Sequence, residues 1–218
     1  MSIKNVLKSI DFFATLNSGQ IDELTSISTV HNYNKDYILY YEKMQSDQLL
    51  FLVDGLAKAY KIDKYDNEIF LYYIYKNSLL SEITNLNHDF LFSFSNIELI
   101  QESQILSINY KHFRDKFLNN NLLHVELTNE IISRSQQLQA LVNREFIFDS
   151  VAKVAMMIAS DLDIFNNMQR NNISLILHIN PATLSRVLNR LKRNKIIDII
   201  HGKITILDLS SLKAIFEG

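Results

Sequence analysis

The chain has 218 residues, 47% of them hydrophobic and 21% charged, the balance of a folded globular protein with room for one or two domains. It contains no cysteine, which excludes disulfides, thiol catalysis, a cysteine-ligated iron–sulfur cluster and a cysteine zinc site. The net charge of −2 hides an asymmetry: residues 1–150 carry 13 Lys and Arg against 19 Asp and Glu, whereas residues 151–218 carry 9 against 5. A nucleic-acid footprint therefore belongs in the second segment.

No apolar run approaches the roughly 18–20 residues of a membrane span. The stretch MSIKNVLKSIDFFATL holds an acidic residue and no small-residue cleavage site, which argues against a signal peptide. The lack of cysteine fits a cytoplasmic protein, and no membrane partner is expected.

In chain order, residues 3–30 read as two helical pieces. Ile3, Val6, Leu7 and Ile10 form one apolar stripe, and Ile21, Leu24 and Ile27 form another after the break at Asn17, Ser18 and Gly19. Residues 31–108 change character. Tyr37–Tyr41, Gln48–Val53, Leu56–Ile62 and Glu68–Tyr75 are β-branched and aromatic runs of strand length, with Asn96–Ile100 and Gln104–Ile108 as shorter ones. Asp54-Gly55 reads as a two-residue hairpin turn between two of them, and Asp66-Asn67 turns the next pair. Many short strands predict an antiparallel barrel or sandwich.

Tyr110–Leu118 reads as a short helix, broken at Asn119–Asn121. A long helix then runs from Leu122 to about Phe146. Leu127, Ile131, Leu138, Leu141 and Val142 follow heptad-like spacing on it, with Arg134 or Ser135 completing the seam, a pattern that pairs a helix with its twin from another chain. Packing onto the protein's own β-domain is the alternative, and different faces can do both. Val151, Val154, Ala155 and Ile158 open the last domain with a further helix. The predicted boundaries are 1–121, 122–146 and 147–218.

The last domain carries the most informative window, Gln169 to Leu191. Ile173, Ile176 and Leu177 line a first short helix, and His178 and Ile179 form a turn. Asn180 suits an N-cap, and Pro181 stands at the first helical position, where its missing N–H costs nothing. Leu184, Val187, Leu188 and Leu191 give the second helix a buried stripe. The opposite face presents Thr183, Ser185, Arg186, Asn189, Arg190 and Arg193, side chains suited to phosphates and base edges in a major groove. Lys192 and Lys195 extend the basic run. Ile196–Ile200, His201-Gly202 and Lys203–Leu207 then read as strand, tight turn, strand. A helix-turn-helix followed by a basic hairpin is a winged helix, and Lys203 on the wing is expected to contact a phosphate. A bare protein-interaction module leaves Arg186, Arg190 and Arg193 without a purpose.

The order of β-barrel, long helix and winged helix resembles the cyclic-AMP receptor protein / fumarate–nitrate regulator family of bacterial transcription factors. The resemblance runs from about Phe12 to Leu207. It is carried by Leu50–Tyr60, similar to the family's barrel signature, by Ser107–Arg114, similar to the segment leading into the dimer helix, and by Asn180–Leu188, similar to the recognition helix. It implies an α+β chain: an N-terminal antiparallel β jelly-roll barrel as sensor, a long dimerisation helix and a C-terminal winged helix-turn-helix. It also implies a homodimer on a two-fold operator in double-stranded DNA, half-sites about one helical turn apart, with RNA polymerase as a partner if the protein activates. Arg186 matches the family's contacting arginine, with Asn180, Ala182, Thr183, Ser185, Asn189 and Arg190 around it. Pro181 and Ala182 replace polar residues of many members, so a different operator sequence is expected. His178 stands where such turns favour glycine, which predicts a non-glycine residue at positive φ.

The family's cyclic-nucleotide sensors hold ribose and phosphate with a glycine-glutamate pair and a following arginine. Here Ser81-Glu82 stands near the first pair, and no Lys or Arg occurs from Asn77 to Tyr110. A buried phosphate without a cationic partner is costly, so cyclic AMP is predicted not to bind. Where the family offers base-contacting hydroxyls, this chain has Leu138 and Gln139. No cofactor is predicted. Haem gas sensing is the low-ranked alternative, with His31, His88 or His124 as axial ligand, and an effector-independent regulator is another. Phe90, Leu91, Phe92 and Phe94 read as barrel core in preference to a ligand pocket. Barrel metalloenzymes often hold metal on a His-x-His pair with a nearby carboxylate and another His, and the six histidines here, at 31, 88, 112, 124, 178 and 201, are all single. No Ser-His-Asp spacing appears, and four glycines build no phosphate-cradling loop, so no enzyme is expected.

Overall fold

The computed structural model describes residues 2–143 and 147–217. It divides into two compact units, residues 1–138 and 139–218.

The first unit opens with α1 (Ile3–Ser9), capped by the Ser2 hydroxyl, and α2 (Ser18–Ser26), whose Asn17 and Gln20 form a reciprocal capping box. The strands are β1 (Ser28–Tyr33), β2 (Ile38–Tyr40), β3 (Gln45–Ser46), β4 (Gln48–Asp54), β5 (Leu56–Ile62), β6 (Glu68–Tyr75), β7 (Ser78–Leu79), β8 (Leu91–Phe92), β9 (Asn96–Leu99) and β10 (Ser103–Asn109). They form one sheet in the order β1-β10-β4-β7 and a second in the order β2-β9-β5-β6, with a small β3-β8 pair beside them. Every pairing is antiparallel. This is the jelly-roll the resemblance implied.

The unbroken apolar run of β4 has a simple cause: both faces of that strand are covered. Leu49 and Phe51 join Leu106 and Ile108 of β10 in a cluster with Val6, Leu7, Phe12, Phe13 and Leu24 outside the barrel. Leu52 and Ile105 turn the other way, into the barrel interior with Tyr40, Ala57, Tyr72, Ile97 and Leu99. Alternation along each strand thus feeds two cores. The rings of Phe12 and Phe13 lie 5.1 and 5.0 Å from that of Phe51.

Three expectations need correction here. The second helical piece ends at Ser26, and Ser28–Tyr33 is a strand because Thr29 and Val30 pair with Ser107 and Leu106. Asp54-Gly55 is not a hairpin turn: β4 and β5 belong to different sheets, and the chain crosses between them there. Gly55, at φ +105°, is required because a Cβ would stand 2.2 Å from the Ser103 hydroxyl oxygen. Of the aromatic run near residue 90, Leu91 is core, whereas Phe92 and Phe94 are 41% and 61% exposed. Asp66 does turn β5 into β6, at φ 61° within a five-residue loop tied by Asp63.

Helix α3 (Tyr110–Lys116), capped by Asn109, leads to α4 (His124–Val142). The long helix is shorter than predicted at its start, and its predicted last residues, 144–146, lie outside the described ones. Apolar residues fall on two adjoining stripes, with Val125 and Ile132 exposed outside them. Leu127 is buried in the outer cluster of the barrel unit. Half-buried Glu130, Arg134, Gln137 and Leu141 follow on the same side. Ile131, Ser135, Leu138 and Val142 are exposed and form the adjoining stripe. The single seam predicted from spacing merged the two: Leu127 is core of its own chain, and Arg134 does not complete the exposed seam.

The second unit contains α5 (Ser150–Ser160), α6 (Leu162–Asn167), α7 (Arg170–Ile176), α8 (Pro181–Arg193), β11 (Ile197–Ile200), β12 (Lys203–Ile206) and α9 (Leu209–Glu217). Val154, Ile158, Phe165, Ile173, Leu177, Leu184, Leu188, Leu191, Ile197, Ile204 and Leu212 form its core. No helix among the described residues is long and apolar enough to cross a membrane.

Candidate nucleic-acid interface

The geometry of the second unit starts with how α7 ends. Its last turn closes with Ile179 N–H donating to the Ser174 carbonyl at 3.0 Å, and His178 adopts φ 50°. This is a Schellman end, with histidine in the left-handed position that glycine usually takes. Asn180 then caps α8: its side-chain oxygen accepts from Ala182 N–H at 2.8 Å, and Pro181 opens the helix. At the far end, Lys195 at φ 57° and Ile196 N–H on the Leu191 carbonyl repeat the same device. Asn180→Ala is expected to cost about 1 kcal/mol of unfolding free energy, measured by denaturant melting, since the cap's partner is lost without a change in the core.

Leu184, Val187, Leu188 and Leu191 are all buried. That orientation turns Ala182, Arg186, Asn189 and Arg193 outward as the central exposed stripe, with exposed Ser185 and Arg190 on its flanks. Thr183 is half-buried at the edge and accepts from the Arg186 guanidinium at 2.9 Å, which holds that arginine along the helix. Ser185 donates back to the Pro181 carbonyl at 3.1 Å. Asn180 and Ser185 are thus partly spent on the backbone. Arg190 borders a cavity of about 490 Å³ lined by Phe148, Leu191 and Phe216.

The wing is a β-hairpin. Ile197 pairs with Ile206 and Ile200 with Lys203. His201 and Gly202, at φ 49° and 79°, make the two-residue turn with both residues left-handed, the twist that a hairpin favours. Lys203 is exposed beside the turn. Lys192 does not extend the free basic run: it pairs with Asp198 at 2.8 Å and holds that carboxyl below its usual range.

Two residues that spacing did not single out bind the wing to the helices. The Asn166 side chain donates to the Ile204 carbonyl at 2.9 Å and accepts from Ile204 N–H at 2.7 Å. Arg170 donates to the Gly202 carbonyl at 2.6 Å and to the Phe165 carbonyl at 3.3 Å, its guanidinium 4.7 Å from the centre of the Phe165 ring. Their partners on the wing lie more than 30 positions away, so only the fold reveals them.

In the barrel unit, the acidic residue near the expected nucleotide site turns to its own chain. Glu82 accepts from the Phe94 and Ser95 N–H groups, from the Ser95 hydroxyl at 3.0 Å and from Tyr72 at 3.4 Å. A cation does reach this region, but from the long helix: Arg134 donates to the Leu79 carbonyl at 2.8 Å and lies 4.7 Å from the Tyr72 ring centre. Glu130, one turn earlier, accepts from the Leu79 backbone, and burial raises its carboxyl. Tyr40, fully buried, donates to the Leu80 carbonyl at 2.7 Å, and burial pushes its phenol well up. Among the described residues, no buried side-chain polar atom lacks a partner.

The candidate haem ligands do not converge. His31 lies exposed on β1 against Thr29, His88 stacks exposed on Phe90, and His124 binds the Leu118 carbonyl at 2.8 Å. All three are exposed rather than enclosed in an apolar core, so these residues do not fit a buried haem.

Residues 152–215 match the family model of the Crp-like helix-turn-helix domain. Among solved structures, the chain is similar to a CooA mutant from Carboxydothermus hydrogenoformans at 16% identity, covering 98% of this chain and 95% of that one with a TM-score of 0.71. FixK2 from Bradyrhizobium japonicum matches at 14% identity, 87% and 97% coverage and a TM-score of 0.70. A putative transcriptional regulator of the Crp/Fnr family from Eubacterium rectale matches at 17% identity, 97% and 100% coverage and a TM-score of 0.69. No curated protein matches the sequence.

Proposed function

We propose that this chain, a DNA-binding transcription regulator of the Crp/Fnr type, acts as a homodimer on a two-fold operator and does not use cyclic AMP as its signal. The observation that carries the DNA reading is the outer face of α8. A capped, well-packed helix turns Ala182, Arg186, Asn189 and Arg193 away from the core, with the Lys203 wing in the same compact unit. In a winged helix, such a helix enters the major groove while flanking groups contact the backbone. The exposed Ile131–Leu138–Val142 stripe of α4 supports a two-fold partner. Two-fold protein symmetry then requires a palindrome with half-sites roughly 34 Å apart.

The signal reading rests on Glu82 and Arg134. Both are engaged by this chain's own backbone and rings, and residues 77–110 supply no other cation. The same self-satisfied interior favours a second reading, a regulator whose operator affinity no small molecule alters.

The test is selection of bound duplexes from a random pool at about 0.15 M salt, because affinity depends steeply on salt. Enrichment of a palindrome, equal with and without cyclic AMP, supports the proposal. Absence of enrichment under both conditions counts against DNA binding by the purified form, and enrichment only with cyclic AMP overturns the signal reading. Lys203→Ala is expected to weaken all duplexes about equally and to reduce the salt slope by about one, as read by binding titrations at several salt concentrations.

A further inference from the structure

We propose that Asn166 and Arg170 are positioning residues for DNA binding: they lock the wing to the helix-turn-helix, so that Lys203 and the outer face of α8 meet one duplex in fixed register. The proposal rests on the reading above that Lys203 touches DNA.

A two-stranded hairpin is marginally stable by itself, and its direction must be set from outside. Among the described residues, β11 and β12 pair only with each other. Their buried residues, Ile197 and Ile204, fix one face to the core, but a hydrophobic contact is non-directional and leaves the tilt of an exposed tip loosely defined. On β11, Lys192 of α8 reaches the Asp198 carboxylate at 2.8 Å and the Ile199 carbonyl at 3.3 Å, whereas the directional contacts to β12 and the tip come from α6 and α7. Asn166, in α6, pairs both its amide atoms with the N–H and carbonyl of Ile204, as a neighbouring strand would. Arg170, the first residue of α7, grips the tip itself through the Gly202 carbonyl, adjacent to Lys203. Its second arm on the Phe165 carbonyl and its stacking on the Phe165 ring fix the guanidinium to the core. Phe165, Ile173 and Leu177 share that core with Leu184, Leu188 and Leu191 of α8. The tip is therefore referenced to the same packed block as the reading helix. A lysine in place of Arg170 keeps the charge but lacks the planar fork that serves two carbonyls and a ring together.

The experiment uses the full chain and the duplex obtained by selection, and compares Arg170→Lys, Asn166→Asp, Lys203→Ala and the two double variants with Lys203→Ala. Affinity is titrated between about 0.05 and 0.2 M salt. One lost phosphate contact is worth about fivefold at 0.15 M salt. Arg170→Lys is expected to weaken binding by about that factor although its charge is retained, and to lower the salt slope by about one. Added to Lys203→Ala, it is expected to cost nothing more, because both variants remove the same contact. Asn166→Asp, which loses the donor to Ile204, is expected to repeat the pattern and serves if Arg170→Lys unfolds, as checked by circular dichroism. Wild-type affinity in both positioning variants, or losses that add fully to that of Lys203→Ala, overturns the proposal. The additive case assigns Arg170 a phosphate of its own. An unchanged affinity in Lys203→Ala overturns instead the reading of the wing on which the proposal stands.

Discussion

Arg186→Ala is expected to reduce affinity for the selected duplex by about 5- to 150-fold, the worth of one good bidentate contact to a guanine edge at 1–3 kcal/mol. Arg186 lies on the central exposed stripe of α8, opposite Leu184, Val187, Leu188 and Leu191. Its guanidinium is already drawn along the helix by the Thr183 hydroxyl, so little side-chain freedom remains to be lost on binding. It contributes nothing to the core, and the variant should melt like the parent. The decisive reading is the specificity profile. Loss of discrimination at one position per half-site identifies a base contact, whereas uniform weakening with a smaller salt slope identifies a phosphate contact.

The second large effect is expected from Ile131→Asp combined with Leu138→Asp. These residues are 49% and 45% exposed on the α4 stripe, so the single chain loses little when they change. Across a two-fold helix pair, each would be buried against its counterpart, at about 1.5–3 kcal/mol per fully buried side chain. Replacing them also opposes like charges across the pair. The dimer dissociation constant should rise at least about a hundredfold, read by light scattering across a concentration series, with operator binding lost in parallel. Leu127 is the contrast: buried within its own unit, it should cost about 2–5 kcal/mol of fold stability as Leu127→Ala before it affects association. An intact dimer in the double aspartate variant would place the interface elsewhere.

Much was legible from the residues because it is set locally. Asn180-Pro181 marks the start of α8 through capping and a fixed φ, the 184–187–188–191 spacing orients its faces, and His201-Gly202 supplies the two left-handed residues of the wing turn. Strand runs such as Gln48–Val53 and Glu68–Tyr75 announce themselves by β-branched and aromatic content. What depends on which partner a residue meets was not legible. Asp54-Gly55 has the composition of a hairpin turn, yet the crossing to the other sheet is decided by pairing of β4 with β10 and of β5 with β9, strands far along the chain.

The sequence by itself determined the class of architecture, the capped helix with its basic outer face, and the exclusion of cysteine chemistry, because each follows from a residue's own conformational or chemical character. The tertiary structure alone decided which basic side chains are tied to other elements. Lys192 is spent on Asp198, Arg170 on the wing and Arg134 on Leu79, while Arg186, Arg193 and Lys203 face solvent. It also divided the long helix into a stripe buried at Leu127 and an exposed one at Ile131 and Leu138. The physical reason is common to these cases: charge and helical period are properties of the chain, but the hydrogen-bonding and apolar partners that satisfy them come from distant segments, and only folding brings those within reach.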